Sequence, residues 1–367
     1  MNNTMKNIYQ LREADRIQTP ALLVFPELVD ANIEATLRMM NGDADRWRPH
    51  IKTAKIASVI RRMIAHGVSA FKCSTTLELV TACEAGAQDV LLAFPVTGAN
   101  AKRTIEIAKQ FPNIKISALI EAEEQAKAWT GSPVGIFIDI NSGMNRTGIS
   151  PERSNDIRAL AKQLGRQFRG LHYYDGHVSE ESTAQAGYDR LIELVNTVGG
   201  VEEVITSGTP STPAALSHKG LSAGPFRHRV SPGTVVYNDL SSIKQLPNRG
   251  YTPAVVVLAT VVSHPTPNVI TCDAGHKSVS VDCGVPNCAV AGHEGMTPLK
   301  PSEEHLPIEC TAELPPIGTQ LYLIPRHVCP TVNNFDEALM IVNGEINGVE
   351  KVTARGHERP LFRGVTS

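Results

Sequence analysis

Between residue 27 and about residue 240, stretches with apolar positions every three or four residues alternate with short apolar runs, repeating every ~20 to 30 residues. This is the pattern of βα units. The runs that predict strands are DRWRPHIK (45–52), SAFKC (69–73), DVLLAF (89–94), KISALI (115–120), PVGIFID (133–139), FRGLHYY (168–174), EEVITS (202–207) and FRHRVS (226–231). Eight parallel strands with helices between them close as a (β/α)8 TIM-type barrel, an α/β fold whose active site lies at the C-terminal ends of its strands. An earlier run, ALLVFP (21–26), is surplus to that barrel. After residue 245 long amphipathic helices stop, and strand-like runs punctuated by turn residues follow: AVVVLATVVSH, KSVSVDC, TQLYLIPRH, EALMIVNGEI and GVEKVTARG. The expected organisation is a barrel over 27–245 and a second, mostly antiparallel β domain made of 1–26 plus 246–367.

The stretch RPHIKTAK carries two lysines that the periodicity separates. Period-two alternation puts Trp47, Pro49 and Ile51 on one strand face, and Arg48, His50 and Lys52 on the other. After Thr53, Ile56, Val59, Ile60, Met63 and Ile64 form one side of a helical wheel, while Lys55, Ser58, Arg61 and Arg62 fill the opposite side. Lys55 is therefore expected on a solvent-facing helix surface, and Lys52 inside the barrel at the end of its first strand. Catalytic groups of barrel enzymes occupy such positions. A lysine there either pairs with a carboxylate at the barrel mouth or, desolvated and more nucleophilic, carries a Schiff base.

Composition narrows the partners. Apolar residues make up 42% and charged residues 20%, an ordinary globular balance. The net charge of −2, with Lys and Arg spread along the chain, leaves no footprint for nucleic acid and favours small molecules. The N-terminal stretch has no apolar core of a secretory signal, and AVVVLATVV is far shorter than the ~20 residues of a membrane span. Seven cysteines without a CxxC argue for reduced thiols, so a soluble, cytoplasmic protein without membrane contact is expected.

Further strand ends add candidate chemistry. DINSGMNRTG places Asp139, Asn141 and Arg146 in a Gly-containing loop, and SGTPST (207–212) and SPGTVVYND (231–239) end later strands. Gly and hydroxyl residues at such turns are either plain turn chemistry or a cradle of N–H and O–H donors for phosphate. Beside an inward lysine, they suggest a phosphorylated carbonyl cofactor.

With these pieces assembled, the sequence resembles the D-threonine aldolase and D-serine dehydratase family of fold-type III pyridoxal-phosphate enzymes. The resemblance rests on RPHIKTAK, CSTTLE (73–78), NRTG, YDGH (174–177), SGTPS, SPGT, DAGHK (273–277), SEEH (302–305) and RHVCPT (326–331), in family order over nearly the whole chain. It implies an alanine-racemase-like barrel plus a β domain that takes the surplus strand, and commonly a homodimer. It implies Lys52 as the Schiff-base lysine for pyridoxal 5'-phosphate, with His50 as nearby support. Arg146 is implied at the phenolic oxygen of the cofactor and Tyr174 beside its ring. Ser207, Gly208 and Thr209, with Gly233 and Thr234, are implied as the phosphate cradle.

His327 and Cys329 are expected to alternate on a strand or its end, so their side chains share a face. Such a pair is either a buried cysteine beside a core histidine or an imidazole and thiolate suited to Zn2+. The resemblance implies a divalent metal, Zn2+ or Mn2+, at this pair, with Glu303 in SEEH as a third group unless that charged stretch is a solvated loop. The implied substrate is a small β-hydroxy-D-amino acid. Its Cα–Cβ bond is cleaved if a base removes the hydroxyl proton, and His177 is either that base or a structural hydrogen-bonder. If Lys52 instead removes the Cα proton, hydroxide leaves and an oxo acid plus ammonia result. Cys329 stands where the best-known aldolases carry aspartate and matches the dehydratases, whereas YDGH is closer to an aldolase-like branch. The leading expectation is a D-threonine aldolase. The rivals are a D-serine or D-threo-3-hydroxyaspartate dehydratase, and a racemase or non-catalytic cofactor-binding barrel.

Overall fold

The structure, a computed structural model, describes residues 8–360; the parts of the expected β domain at 1–7 and 361–367 lie outside the described residues. The chain divides into two compact units. Among the described residues, one takes 8–35, Thr53–Val59 and Thr234–Arg355, and the other takes Thr36–Lys52, Ile60–Gly233 and 356–360. These units are cut at other points than 27 and 245 because the hydrogen bonds of residues 236–241 run within the first unit. Asn32 donates to the Val236 carbonyl at 3.1 Å, Tyr237 Oη donates to the Ala54 carbonyl at 2.7 Å, and Asp239 accepts from the Val328 N–H at 3.0 Å.

The second unit holds a curled sheet of seven parallel strands in chain order: β2 (Ala70–Cys73), β3 (Asp89–Pro95), β4 (Lys115–Ile120), β5 (Gly135–Asp139), β6 (Phe168–Tyr173), β7 (Glu203–Thr206) and β8 (Arg227–Val230). They coincide with seven of the runs read from the sequence. The remaining run, DRWRPHIK, is no regular strand. Trp47 makes one parallel bridge to Val230 in β8, and His50 makes one to Lys72 in β2. Pro49 is the physical reason: it accepts from the Lys72 N–H at 2.8 Å but has no N–H to donate, so a continuous ladder cannot form. The segment still occupies the eighth place, with a single contact to each edge strand.

Arg48 holds that segment from inside. Its side chain is fully buried and binds Glu203 with two parallel contacts, Nε to Oε1 at 2.9 Å and Nη2 to Oε2 at 3.1 Å, while Nη1 reaches Asp89 at 3.0 Å. Arg169 joins Asp89 at 3.0 Å, and Arg229 joins Glu203 at 2.7 Å. Burial alone would push the Asp89 carboxyl up, but the Arg48 and Arg169 guanidinium groups hold it well below the ordinary range.

The first unit is built on a nine-stranded sheet. Its strands are β1 (Ala21–Val24), β9 (Val255–Thr266), β10 (Val269–Cys272), β11 (Cys288–Val290), β12 (Met296–Pro298), β13 (Leu306–Cys310), β14 (Gln320–Pro325), β15 (Glu337–Val342) and β16 (Glu345–Lys351). The order is β12-β13-β10-β9-β1-β15-β16, with β14 also on β9 and β11 on β14; all pairs are antiparallel except β1 with β15. The surplus run at 21–26 thus sits in the middle of this sheet. Leu23, Phe25, Val256, Leu258 and Ile341 form its buried core.

Replacing Arg48 by Ala leaves two buried carboxylates short of a partner and should lower unfolding free energy by about 3–5 kcal/mol in urea titrations. Asp89 gives the sign of the pH dependence. A carboxylate whose folded pKa is depressed stabilises above its unfolded value of ~3.9, and the benefit is lost as pH falls toward the folded value. Wild-type stability should therefore drop below ~pH 4, and Asp89→Asn should flatten that drop.

Candidate active site

Lys52 lies in the turn that follows the His50 bridge, half-buried, and its backbone N–H donates to His50 Nδ1 at 3.2 Å. A Cβ on Gly233 would collide with the His50 carbonyl oxygen, so a glycine is required where the SPGT turn passes this segment. Lys55 departs from expectation. The helix starts only at Ala57, so the helical wheel does not govern Lys55; it adopts φ 52° and is buried, with Nζ donating to the Ala354 carbonyl at 3.0 Å. Lys52, half-exposed, is the lysine left available for chemistry.

Around the C-terminal ends of β2, β5 and β6 the barrel gathers a polar cluster of which sequence reasoning singled out Asp139 but neither Lys72 nor His172. Lys72 Nζ lies 3.1 Å from His172 Nε2, His172 Nδ1 lies 2.7 Å from Asp139 Oδ1, and Thr147 donates to Asp139 Oδ2 at 2.7 Å. Burial, then the charge of Lys52, pulls the Lys72 amine down to about 7. Burial and Lys72 lower His172 as well. Against the effect of its own burial, Asp139 is lowered by His172. Lys72 Nζ sits 5.3 Å from the Tyr174 ring centroid and the Arg146 guanidinium 5.1 Å from it, two cations on one aromatic ring. A small cavity of about 20 Å³ is lined by Asp139, Ser142, Arg146, His172 and Tyr174. The available signal was a lysine in the otherwise apolar run SAFKC, and a histidine two positions before Tyr174 on the same alternating face. His177 is exposed on the turn beyond β6.

The turns after β7 and β8 supply the candidate cradle. Ser207 is buried at φ 64°, an uncommon conformation for a residue with a side chain, and its hydroxyl accepts from the Ser231 N–H at 3.4 Å. A Cβ on Gly208 would stand 2.8 Å from Gly176 Cα. Thr209 is buried beside them, and the Ser231 hydroxyl is buried without a hydrogen-bond partner. A buried hydroxyl without a partner, between two Gly turns, fits an occupant that accepts hydrogen bonds, as a phosphate does. Thr234 Oγ1 points elsewhere, to Cys329 Sγ at 3.6 Å.

His327 and Cys329 do not alternate on a strand. Strand β14 ends at Pro325, His327 caps the helix Val328–Asn333, and Cys329 lies in its first turn. Cys329, two positions on, still acts electrostatically on the His327 imidazole. Cys329 Sγ also meets Thr53 Oγ1 at 2.9 Å. On its other side, His327 Nδ1 contacts Asp282 Oδ2 at 2.6 Å and Cys283 Sγ at 3.5 Å. Burial would lower the imidazole, but Cys329 and Asp282 outweigh it and push it up to about 9. Among the described residues, Asp282, Cys283 and His327 form a group with ligand atoms close enough for one metal ion. Glu303 belongs to a different contact: its exposed carboxylate pairs with Lys277 at 2.7 Å. An imidazole backed by a carboxylate, next to a thiol, is a donor set that fits a borderline-soft divalent ion.

Comparisons with known proteins bear on the fold and the family. The alanine racemase N-terminal domain model matches residues 27–241, and the domain model named for serine dehydratase matches 254–341. D-threonine aldolase from Arthrobacter sp. is 28% identical over 94% of both chains. D-threo-3-hydroxyaspartate dehydratase from Delftia sp. (strain HT23) is 25% identical over 87% of this chain and 93% of its own. The crystal structure of D-threonine aldolase from Filomicrobium marinum superposes with a TM-score of 0.79 at 23% identity, covering 95% of this chain and 98% of that one. The chain belongs to the alanine-racemase-like, fold-type III family in the group of D-threonine aldolase and D-serine dehydratase, as its motifs indicate.

Proposed function

We propose that this protein is a pyridoxal-phosphate- and divalent-metal-dependent lyase of β-hydroxy-D-amino acids, and that it cleaves D-threonine to glycine and acetaldehyde. The observation that carries the reading is the group of His327, Asp282 and Cys283, whose ligand atoms lie close enough for one metal ion, with Cys329 two residues on from His327, in a chain that also presents Lys52 and a buried hydroxyl cradle. A racemase or a binding barrel has no use for the metal pair. Relatives named as an aldolase and a dehydratase of hydroxy-amino acids support the same substrate class.

Lys52 would hold the cofactor covalently, with His50 fixing the Lys52 backbone, Tyr174 beside the ring and Arg146 at the phenolic oxygen. Ser207, Gly208, Thr209 and Gly233 would hold the phosphate. Thr234, through its contact with Cys329, serves the thiol instead. His327 and Cys329 would hold zinc or manganese. When bound, the cofactor supplies an electron sink and the metal a Lewis acid for the β-hydroxyl. His177, exposed at the strand end, takes the hydroxyl proton in the cleavage direction. Cys329 favours a second reading, because a thiol at this position matches the dehydratase pattern. In that case Lys52 takes the Cα proton, and the products are an oxo acid and ammonia. We further propose a cytoplasmic homodimer. Among the described residues, no helix is long and apolar enough to cross a membrane.

Incubation with D-threonine and D-serine should yield glycine and acetaldehyde from the former; ammonia without aldehyde would overturn the aldolase reading in favour of the dehydratase. Lys52→Ala should remove the absorbance near ~420 nm that a lysine-bound cofactor gives, and its persistence would move the attachment to another residue. Asp282→Asn should weaken metal binding by about 10–100-fold in calorimetric titrations, and Cys329→Ala should weaken it further.

A further inference from the structure

Two charged clusters occupy the barrel interior, and they are balanced differently. At the N-terminal strand ends, Arg48, Arg169 and Arg229 meet Asp89, Glu203 and Asp45, so each guanidinium finds a carboxylate. At the C-terminal ends, Lys72 is faced by His172 from β6, Asp139 from β5, Arg146 from the loop after β5, and Lys52 and Arg48 from the bridging segment. Arg48 is already engaged with Glu203 and Asp89. Lys72 therefore has two basic neighbours outside the arginine cluster, Lys52 and Arg146, and a carboxylate neighbour, Asp139, whose two oxygens already hold His172 and Thr147.

A buried amine among basic neighbours is costly to charge, and the cost is relieved either by loss of a proton or by an incoming anion. Lys72 is the member built to respond. Its amine is buried, held in one place by His172 Nε2, and His172 is fixed in turn by donating Nδ1–H to Asp139. With Nδ1 as donor, Nε2 presents a lone pair, so it accepts from the Lys72 amine in either protonation state. Lys52 and Arg146 remain partly or largely exposed, where solvent moderates their charge.

We propose that Lys72 is a further cofactor-anchoring cation of this barrel, which takes up a proton from solvent when the anionic cofactor binds, its amine positioned by the His172–Asp139 pair. The inference rests on the reading of Lys52 as the cofactor lysine. Proton balance is simple: neutral Lys72 gains one proton from the buffer, and the cofactor's negative charge compensates the new cation. The lowered titration of Lys72 agrees with this, since an amine near 7 is mostly neutral slightly above neutrality and recharges when an anion arrives.

The test is calorimetric titration of cofactor-free protein with pyridoxal 5'-phosphate at about pH 8, in two buffers of different ionisation enthalpy. Wild type should take up about one proton per chain more than Lys72→Met, and Lys72→Met should bind the cofactor at least about tenfold more weakly. Lys72→Arg keeps the charge at every pH, so it should bind tightly without the extra uptake; it decides the matter if Lys72→Met does not fold. Equal proton uptake by wild type and Lys72→Arg would overturn the proposal. Borohydride reduction of the loaded wild type separates the two levels: no adduct on Lys52 refutes the underlying reading, whereas an adduct with unchanged uptake in the variants refutes only the role of Lys72.

Discussion

The pairing of Arg48 with Glu203 and Asp89 is the interaction on which the barrel unit turns. A fully buried guanidinium is held there by carboxylates, and the carboxylates from β3 and β7 share it with Arg169 and Arg229. Because Pro49 prevents a regular ladder, the segment from Trp47 to His50 has only single bridges to β8 and β2. The ion pair supplies the anchorage that missing ladder bonds do not. It also sets the facing of the residues that follow, so that His50 and Lys52 are presented from a segment that cannot slip in register.

The same barrel uses charge in two ways. Near the strand beginnings, arginines and carboxylates neutralise one another and hold structure. Near the strand ends, lysines and an arginine outnumber the carboxylate among them, and hydroxyl and glycine turns stand beside them. A surplus of one sign, left unbalanced by the protein itself, is a specification for a ligand of the other sign. In the β-sheet unit the gathered groups differ: among the described residues, His327, Asp282 and Cys283 bring nitrogen, carboxylate and sulfur atoms together, a set defined by softness and geometry more than by net charge.

Much of this was legible along the chain. Alternation in DVLLAF, KISALI and FRGLHYY identified strands that the structure contains, and the change of texture after residue 245 announced the antiparallel sheet. Arg48, read as inward from the same alternation, is fully buried. Where local pattern misled, the cause was local too. DRWRPHIK alternates like a strand, but proline removes the donor that a ladder needs. Lys55 fits a helical wheel, but it precedes the helix and turns inward through a left-handed backbone.

By itself the sequence determined which residues of the seven regular barrel strands face inward and which residue types stand near their ends, because side-chain direction follows from the backbone period of two. Periodicity carries no information about which strand ends meet. Only the tertiary structure decided that Lys72, His172 and Asp139, drawn from three different strands, form one hydrogen-bonded chain, and that Asp282 and Cys283 join His327 while Glu303 pairs with Lys277. Those contacts depend on the curl of the sheet and the path of loops, which are properties of the packed chain rather than of any segment of it.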